Sequence, residues 1–291
     1  MLKGYLTALI TPFRDGKIDD EAFQSFVEWQ IAEGAAGVVP CGTTGESATL
    51  SHDEHMHVVE LAIEAASGRV PVLAGAGSNA TDEAIMLTRH AKTSGAAAAL
   101  LITPYYNKPV QEGLYQHFKA IHDAVDLPIV IYNVPGRTSV DITVETVARL
   151  AELPNIIGIK DATADLERPL ELRRLVGEDF RQFSGEDATV VAFLAHGGHG
   201  CISVTANVAP RLCADIYAAW DAGDPAKALS IQERLLSVHD AMFVETNPIP
   251  AKWGVHLLGR CREEIRLPMT TPSPQARKRI ETAMREAGLL S

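Results

Sequence analysis

Apolar positions along the chain fall into two alternating rhythms. Short runs of largely consecutive apolar residues recur at 6–10, 37–40, 70–74, 98–103, 128–133, 156–160, 181–184 and 200–204. Runs of this kind suit strands buried on both faces, as in a parallel sheet covered by helices. Between them the apolar spacing lengthens to helical. Phe23, Phe26, Val27 and Ile31 share one face, as do Met56, Val59, Ile63 and Ala66, and Leu114, Phe118, Ile121 and Val125. Helix starts carry their own marks. Ser51 with Glu54 forms a capping box, and Asp224-Pro225 and Ser273-Pro274 read as an N-cap followed by a first-turn proline. Eight strand–helix units with no glycine-rich dinucleotide turn predict a closed (β/α)₈ TIM barrel, not a doubly wound sheet. The strand units end near residue 223. The barrel domain is therefore expected over 1–223. A C-terminal helical region is expected over 224–291, with helices at 225–240, about 249–258 and 274–288.

Length agrees with this, since 291 residues suit one barrel with extra helices. The formal net charge of −11 argues against nucleic acid or an anionic membrane surface as a partner. It leaves room for an anionic substrate, which needs only local positive groups. Cys41, Cys201, Cys213 and Cys261 are too scattered for a zinc knuckle or a redox pair and read as free thiols. The first residues resemble a strand and not a signal peptide, and no apolar stretch reaches the ~20 residues of a membrane span. A cytoplasmic location is expected.

Functional groups of a β/α barrel sit at the C-terminal ends of its strands and in the loops beyond. Lys160 closes the run Ile-Ile-Gly-Ile-Lys at such an end. An amine is nucleophilic only when neutral, and an apolar barrel mouth disfavours the ammonium form, which suits addition to a carbonyl. The competing reading is an ion pair with Asp161 or Glu186. Thr43-Thr44 lies between two glycines, where converging N–H groups and hydroxyls could hold a small carboxylate; a plain turn is the alternative. Arg137 could grip a carboxylate through both of its forked donors, though an arginine after Pro-Gly is more often at the surface. Tyr132 and Tyr106 carry hydroxyls that both give and take protons. The segment His52 to His57 invites a metal reading, but it lacks the HExxH spacing, and a solvated helix start is the simpler view.

The segments GTTGES, TPYYNKP, YNVPGRT, GIKDAT, GGHGCISVTAN and FVETNPIPAKW together resemble the dihydrodipicolinate synthase (4-hydroxy-tetrahydrodipicolinate synthase) family, within the wider N-acetylneuraminate lyase superfamily. The resemblance covers essentially the whole chain, in the family's order. It implies condensation of pyruvate with L-aspartate 4-semialdehyde on the diaminopimelate route to lysine, by a homotetramer, with neither metal nor organic cofactor. It gives Lys160 the Schiff-base role and Tyr132 the general acid/base role. Thr43 and Tyr106 complete a proton relay, with Tyr106 coming from a neighbouring subunit. Thr44, Ile202 and Gly185 match substrate-holding positions, and Arg137 matches the residue that receives the semialdehyde carboxylate. Ser47, Ala48, His52, His55, Asn79, Glu83 and Tyr105 match the site at which L-lysine inhibits feedback-regulated members. Departures are few: Gly136 replaces a common serine, and Asp161 a common glutamate. The alternatives are another pyruvate aldolase of the superfamily, disfavoured by Arg137, and an inactive lysine-binding barrel, disfavoured by the intact set around Lys160. Cys41, beside the threonine turn, has no assigned role and is a candidate oxidation point.

Overall fold

A computed structural model describes residues 2–290. Eight parallel strands form the barrel: β1 (Gly4–Ala8), β2 (Gly37–Val39), β3 (Leu73–Gly75), β4 (Ala98–Ile102), β5 (Ile129–Asn133), β6 (Ile156–Asp161), β7 (Arg181–Ser184) and β8 (Gly200–Ser203). Seven neighbouring pairs form ladders, with β1 seated between β2 and β8. The last seam, between β2 and β3, closes through a single Val38–Val72 bridge. Val38 N–H donates to Pro71 O over 3.1 Å and Gly75 N–H to Pro40 O over 2.9 Å there. The helices are α1 (Asp20–Ala32), α2 (His52–Ala66), α3 (Thr81–Ser94), α4 (Gln111–Ala124), α5 (Pro135–Thr138), α6 (Val144–Leu150), α7 (Glu167–Val176), α8 (Val190–Ala195) and α9 (Pro210–Asp221). Beyond them lie α10 (Pro225–Ala241), α11 (Ile249–Leu257) and α12 (Pro274–Glu286). Both halves of the expected capping box form at Ser51 and Glu54. Asp224 and Ser273 cap their helices as expected.

Apolar residues separate into two cores because successive strand side chains face opposite ways. Leu6, Leu73, Leu100, Val130, Phe183 and Ile202 fill the barrel interior. Tyr5, Val38, Leu101, Ile131 and Ile159 pack outward against the helices. All eight expected strands are present, and the first and third are displaced by more than one residue. The first run of 6–10 extends beyond the ladder, which ends at Ala8. Leu9 and Ile10 stay buried, but Ile10 N–H is taken by the Asn207 side chain over 3.0 Å. In the third run Pro71 has no N–H to give, so the regular strand starts at Leu73. The buried face of α2 is also rotated from the expected one, with His55, Val58, Val59 and Ala62 inward and Met56 and Ile63 only part-buried.

One irregularity aims the chemistry. Ile129 pairs with Ile156, but Val130 pairs with Gly158, so the β5–β6 register slips by one residue. Beyond the slip Tyr132 pairs with Lys160, and Lys160 with Phe183. Side chains at one register level of a parallel sheet share a face, so Lys160 points inward with Tyr132 and Phe183. Were β5 and β6 in unbroken register from Ile129 and Ile156, Lys160 would fall opposite Asn133 and face the helices. Gly158 sits at the slip, and a Cβ there would come within 2.3 Å of Arg181 O.

Candidate active site

Lys160 is buried at the C-terminal mouth of the barrel, and its Nζ lies 4.4 Å from the centroid of the Tyr132 ring. The ion-pair reading for this lysine fails. Asp161 Oδ2 instead accepts from Arg168 Nε over 2.9 Å, and its Oδ1 accepts from Thr163 N–H over 2.9 Å. Burial raises the Glu186 carboxyl above the usual carboxylate range, the opposite of what a neighbouring ammonium would do. Among the described residues Lys160 has no salt-bridge partner. Its amine faces an aromatic ring at the C-terminal end of β6.

The Gly42–Glu46 turn follows β2. Glu46 N–H donates to Thr43 O over 3.2 Å, and Ser47 N–H to Gly42 O over 3.4 Å. Thr44 is buried and accepts from Asn247 Nδ2 over 3.0 Å. Arg137, in α5 directly after β5, donates to the Asn247 carbonyl over 3.0 Å. Thr43, Arg137 and Asn247 line one cavity of about 440 Å³. Ile202 is buried in the barrel interior on β8. Gly185, after β7, tolerates no side chain, since a Cβ would meet that of Ala162 at 2.6 Å. The exit of β8 is pinned by buried Asp187, which accepts from Val204 N–H over 2.9 Å, Thr205 N–H over 3.1 Å and the Ser203 hydroxyl.

The candidate lysine-site residues gather on the same cavity, which is also lined by Ser47, Ala48, His52, His55, Glu83 and Tyr105. His52 Nε2 lies 2.6 Å from Glu83 Oε1. A hydrogen bond from the Ser78 hydroxyl, then His52, holds the Glu83 carboxyl below the usual range. Burial pushes the His55 imidazole down to about 4. Asn79 Nδ2 donates to Tyr105 O over 3.2 Å, which ties that residue to the cavity wall. His57 turns away to Asp20, 2.8 Å distant, so the three histidines of the segment do not converge.

Tyr106 is the residue that a single chain does not bring in. It stands 89 % exposed with a left-handed φ of 71°. Cys41 is buried, its thiol faces the His55 carbonyl at 3.4 Å, and burial pushes its pKa well up. A thiol that burial keeps protonated is poorly placed to react, which argues against the expected oxidation point.

Sequence reasoning missed the groups behind the turn. Glu46 is buried at a φ of 56°, and its Oε1 lies 2.5 Å from Nζ of the equally buried Lys252 on α11. Its Oε2 accepts from Arg266 N–H over 3.0 Å, while the Lys252 ammonium sits 4.0 Å from the Phe13 ring centroid. Asn247 and Lys252 both lie in FVETNPIPAKW, so the signal was present as a motif without an assigned chemistry. A second, larger depression of about 730 Å³ lies at the opposite barrel end among Leu2, Pro71, Pro128 and Ile157. It is away from the strand ends that carry Lys160 and Tyr132.

Comparison with known proteins identifies the family. The chain matches the Dihydrodipicolinate synthetase family over residues 1–287. It is 62% identical to the 4-hydroxy-tetrahydrodipicolinate synthase of Rhodospirillum centenum, covering 100% of both chains. Among solved structures, the chloride-inhibited dihydrodipicolinate synthase from Acinetobacter baumannii complexed with pyruvate matches with a TM-score of 0.97 at 45% identity, covering 100% of both chains. The enzyme of Cyanidioschyzon merolae with lysine bound matches with a TM-score of 0.96 at 39% identity, covering 99% of both. The chain belongs to the dihydrodipicolinate synthetase family.

Proposed function

We propose that this chain condenses pyruvate with L-aspartate 4-semialdehyde to 4-hydroxy-tetrahydrodipicolinate, through a Schiff base on Lys160, in lysine biosynthesis. The observation that carries the mechanism is the inward-facing Lys160 amine beside the Tyr132 ring, at the barrel mouth of a chain from this family. The amine adds to the ketone of pyruvate, and loss of water leaves an imine. The imine draws electrons from the methyl carbon, which gives up a proton and becomes an enamine. That carbon attacks the aldehyde of the second substrate. The substrate's own amine then displaces Lys160 and closes the ring, so one water is lost overall. Tyr132 and Thr43, with Tyr106 supplied by a neighbouring copy of the chain, carry the protons of these steps. Thr44 and Ile202 hold pyruvate, Gly185 contributes to the substrate site, and Arg137 receives the carboxylate of the semialdehyde.

The exposure of Tyr106 supports assembly, since its phenol meets no site among the described residues of its own chain. A homotetramer working in the cytoplasm fits these features. No described helix is long and apolar enough to cross a membrane. We further propose L-lysine as an inhibitor at the wall formed by Ser47, Ala48, His52, His55, Asn79, Glu83 and Tyr105. The ionised Glu83 offers an anion for its ammonium. The test is borohydride trapping with pyruvate, followed by a coupled assay with the semialdehyde. Wild-type protein should gain one covalent pyruvate at Lys160, and Lys160→Ala should gain none and lose activity at least about a thousandfold. Trapping without consumption of the semialdehyde would transfer the assignment to another pyruvate lyase of the superfamily.

A further inference from the structure

Two of the candidate substrate contacts are joined by a residue that belongs to neither. Asn247, only 4 % exposed, lies between α10 and α11, outside the barrel strands. Its side-chain Nδ2 donates to Thr44 Oγ1 over 3.0 Å, and its backbone carbonyl accepts from Arg137 Nη2 over 3.0 Å. Thr44 follows β2 and Arg137 follows β5, so no barrel ladder links them. We propose that Asn247 is a positioning residue that aims the Thr44 hydroxyl at the first substrate's carboxylate and fixes its spacing from the Arg137 guanidinium.

A hydroxyl has one proton to give. With Asn247 donating into the Thr44 oxygen, that proton must be given elsewhere, and among the described residues no acceptor takes it. A carboxylate is the acceptor that suits it best, because a hydrogen bond to an ionised group is about twice as strong as a neutral one. The Asn247 Oδ1 is buried and has no partner among the described residues. The backbone half of the bridge reaches Arg137. The same residue therefore sets the separation of two anion subsites that the reaction must fill in turn. This inference rests on the reading of Thr44 and Arg137 as carboxylate contacts.

The test uses full-length Asn247→Asp, Asn247→Ala, Thr44→Val and the double variant Thr44→Val with Asn247→Asp. KM for each substrate, kcat and the rate of borohydride trapping with pyruvate alone are measured, with melting temperature as the folding control. Asn247→Asp keeps the shape, removes the donor and adds an anion beside both subsites. It should raise the pyruvate KM by about tenfold or more and slow trapping, with kcat within about threefold. Asn247→Ala, which removes the donor without adding charge, should raise it about three- to tenfold, and decides the matter if the aspartate variant fails to fold. In the double variant the pyruvate KM should equal that of Thr44→Val within about twofold, because Asn247 acts through Thr44. The proposal is overturned if the Asn247 variants leave the pyruvate KM within about twofold of wild type, or if the two effects multiply. Should Thr44→Val itself leave the pyruvate KM unchanged, the reading of Thr44 fails first and the proposal falls with it. An impaired Thr44→Val beside neutral Asn247 variants removes the proposal alone.

Discussion

Replacing Lys252 with methionine isolates the buried pair behind the threonine turn. Methionine fills nearly the same space and removes only the charge. Glu46 then keeps one hydrogen bond, from Arg266 N–H, and loses its directly paired ammonium, leaving only the more distant Arg266 guanidinium, itself paired with Glu54, in a site where both ion-pair side chains are 2–3 % exposed. Burial lowers the Lys252 pKa, and the Glu46 carboxylate works against that, so each charge is tolerated there because of the other. Removing one partner of such a pair costs about 3–5 kcal/mol. At about 2–3 °C per kcal/mol for a chain of this size, the melting temperature should fall by about 6–15 °C. Adding Glu46→Gln removes the orphaned charge and should recover at least half of the loss. The assay is thermal unfolding followed by circular dichroism at neutral pH. A Lys252→Met protein melting within about 2 °C of wild type would refute the reasoning, as would a double variant no more stable than the single one.

Acid should destabilise the fold through two buried histidines. Burial pushes His55 and His117 down to about 4, from an ordinary 6.5. The unfolded chain therefore binds more protons between those values. Stability is complete above pH 6.5 and falls as pH drops towards 4, by up to about 3 kcal/mol for each group. Melting curves from pH 7 to 4 should show this slope, and His117→Gln should flatten it; an unchanged slope would count against the assignment. Glu83→Gln should weaken inhibition by L-lysine by about tenfold, since it removes the anion facing the cavity, with kcat preserved. Dose–response curves at fixed pyruvate decide this, and equal sensitivity in both proteins would remove Glu83 from the site.

What the sequence made legible, and what it hid, divides along physical lines. The eight strands were readable because a parallel strand buried on both faces leaves an unbroken apolar run. Lys160, Tyr132, Thr44 and Arg137 were readable because barrel chemistry gathers at strand ends, so a position on the chain already implies a place in space. The register slip at Ile129 and Val130 was not readable, since one extra residue in an apolar run leaves no compositional trace. Lys252 was hidden for the reason that lysine on a short helix normally marks a solvated face. The short antiparallel hairpin of Phe13–Arg14 with Lys17–Ile18 does carry a mark in the sequence. Its Asp15-Gly16 turn, with φ of 54° and 80°, is a strong local signal for such a hairpin.

Asn247 and Lys252 also bear on how this protein can be taken apart. The barrel strands end at Ser203, and the sequence invites a cut after residue 223. A fragment made that way would keep Lys160 and Tyr132 in their ladder. It would leave behind the amide that holds Thr44 and Arg137 and the ammonium that neutralises Glu46. Recombination or loop-swapping in this architecture is therefore bounded by chemistry and not by secondary structure. The smallest exchangeable unit that preserves the site includes α11, and a chimera assembled from two relatives must take its threonine turn and its Asn247–Lys252 segment from the same parent.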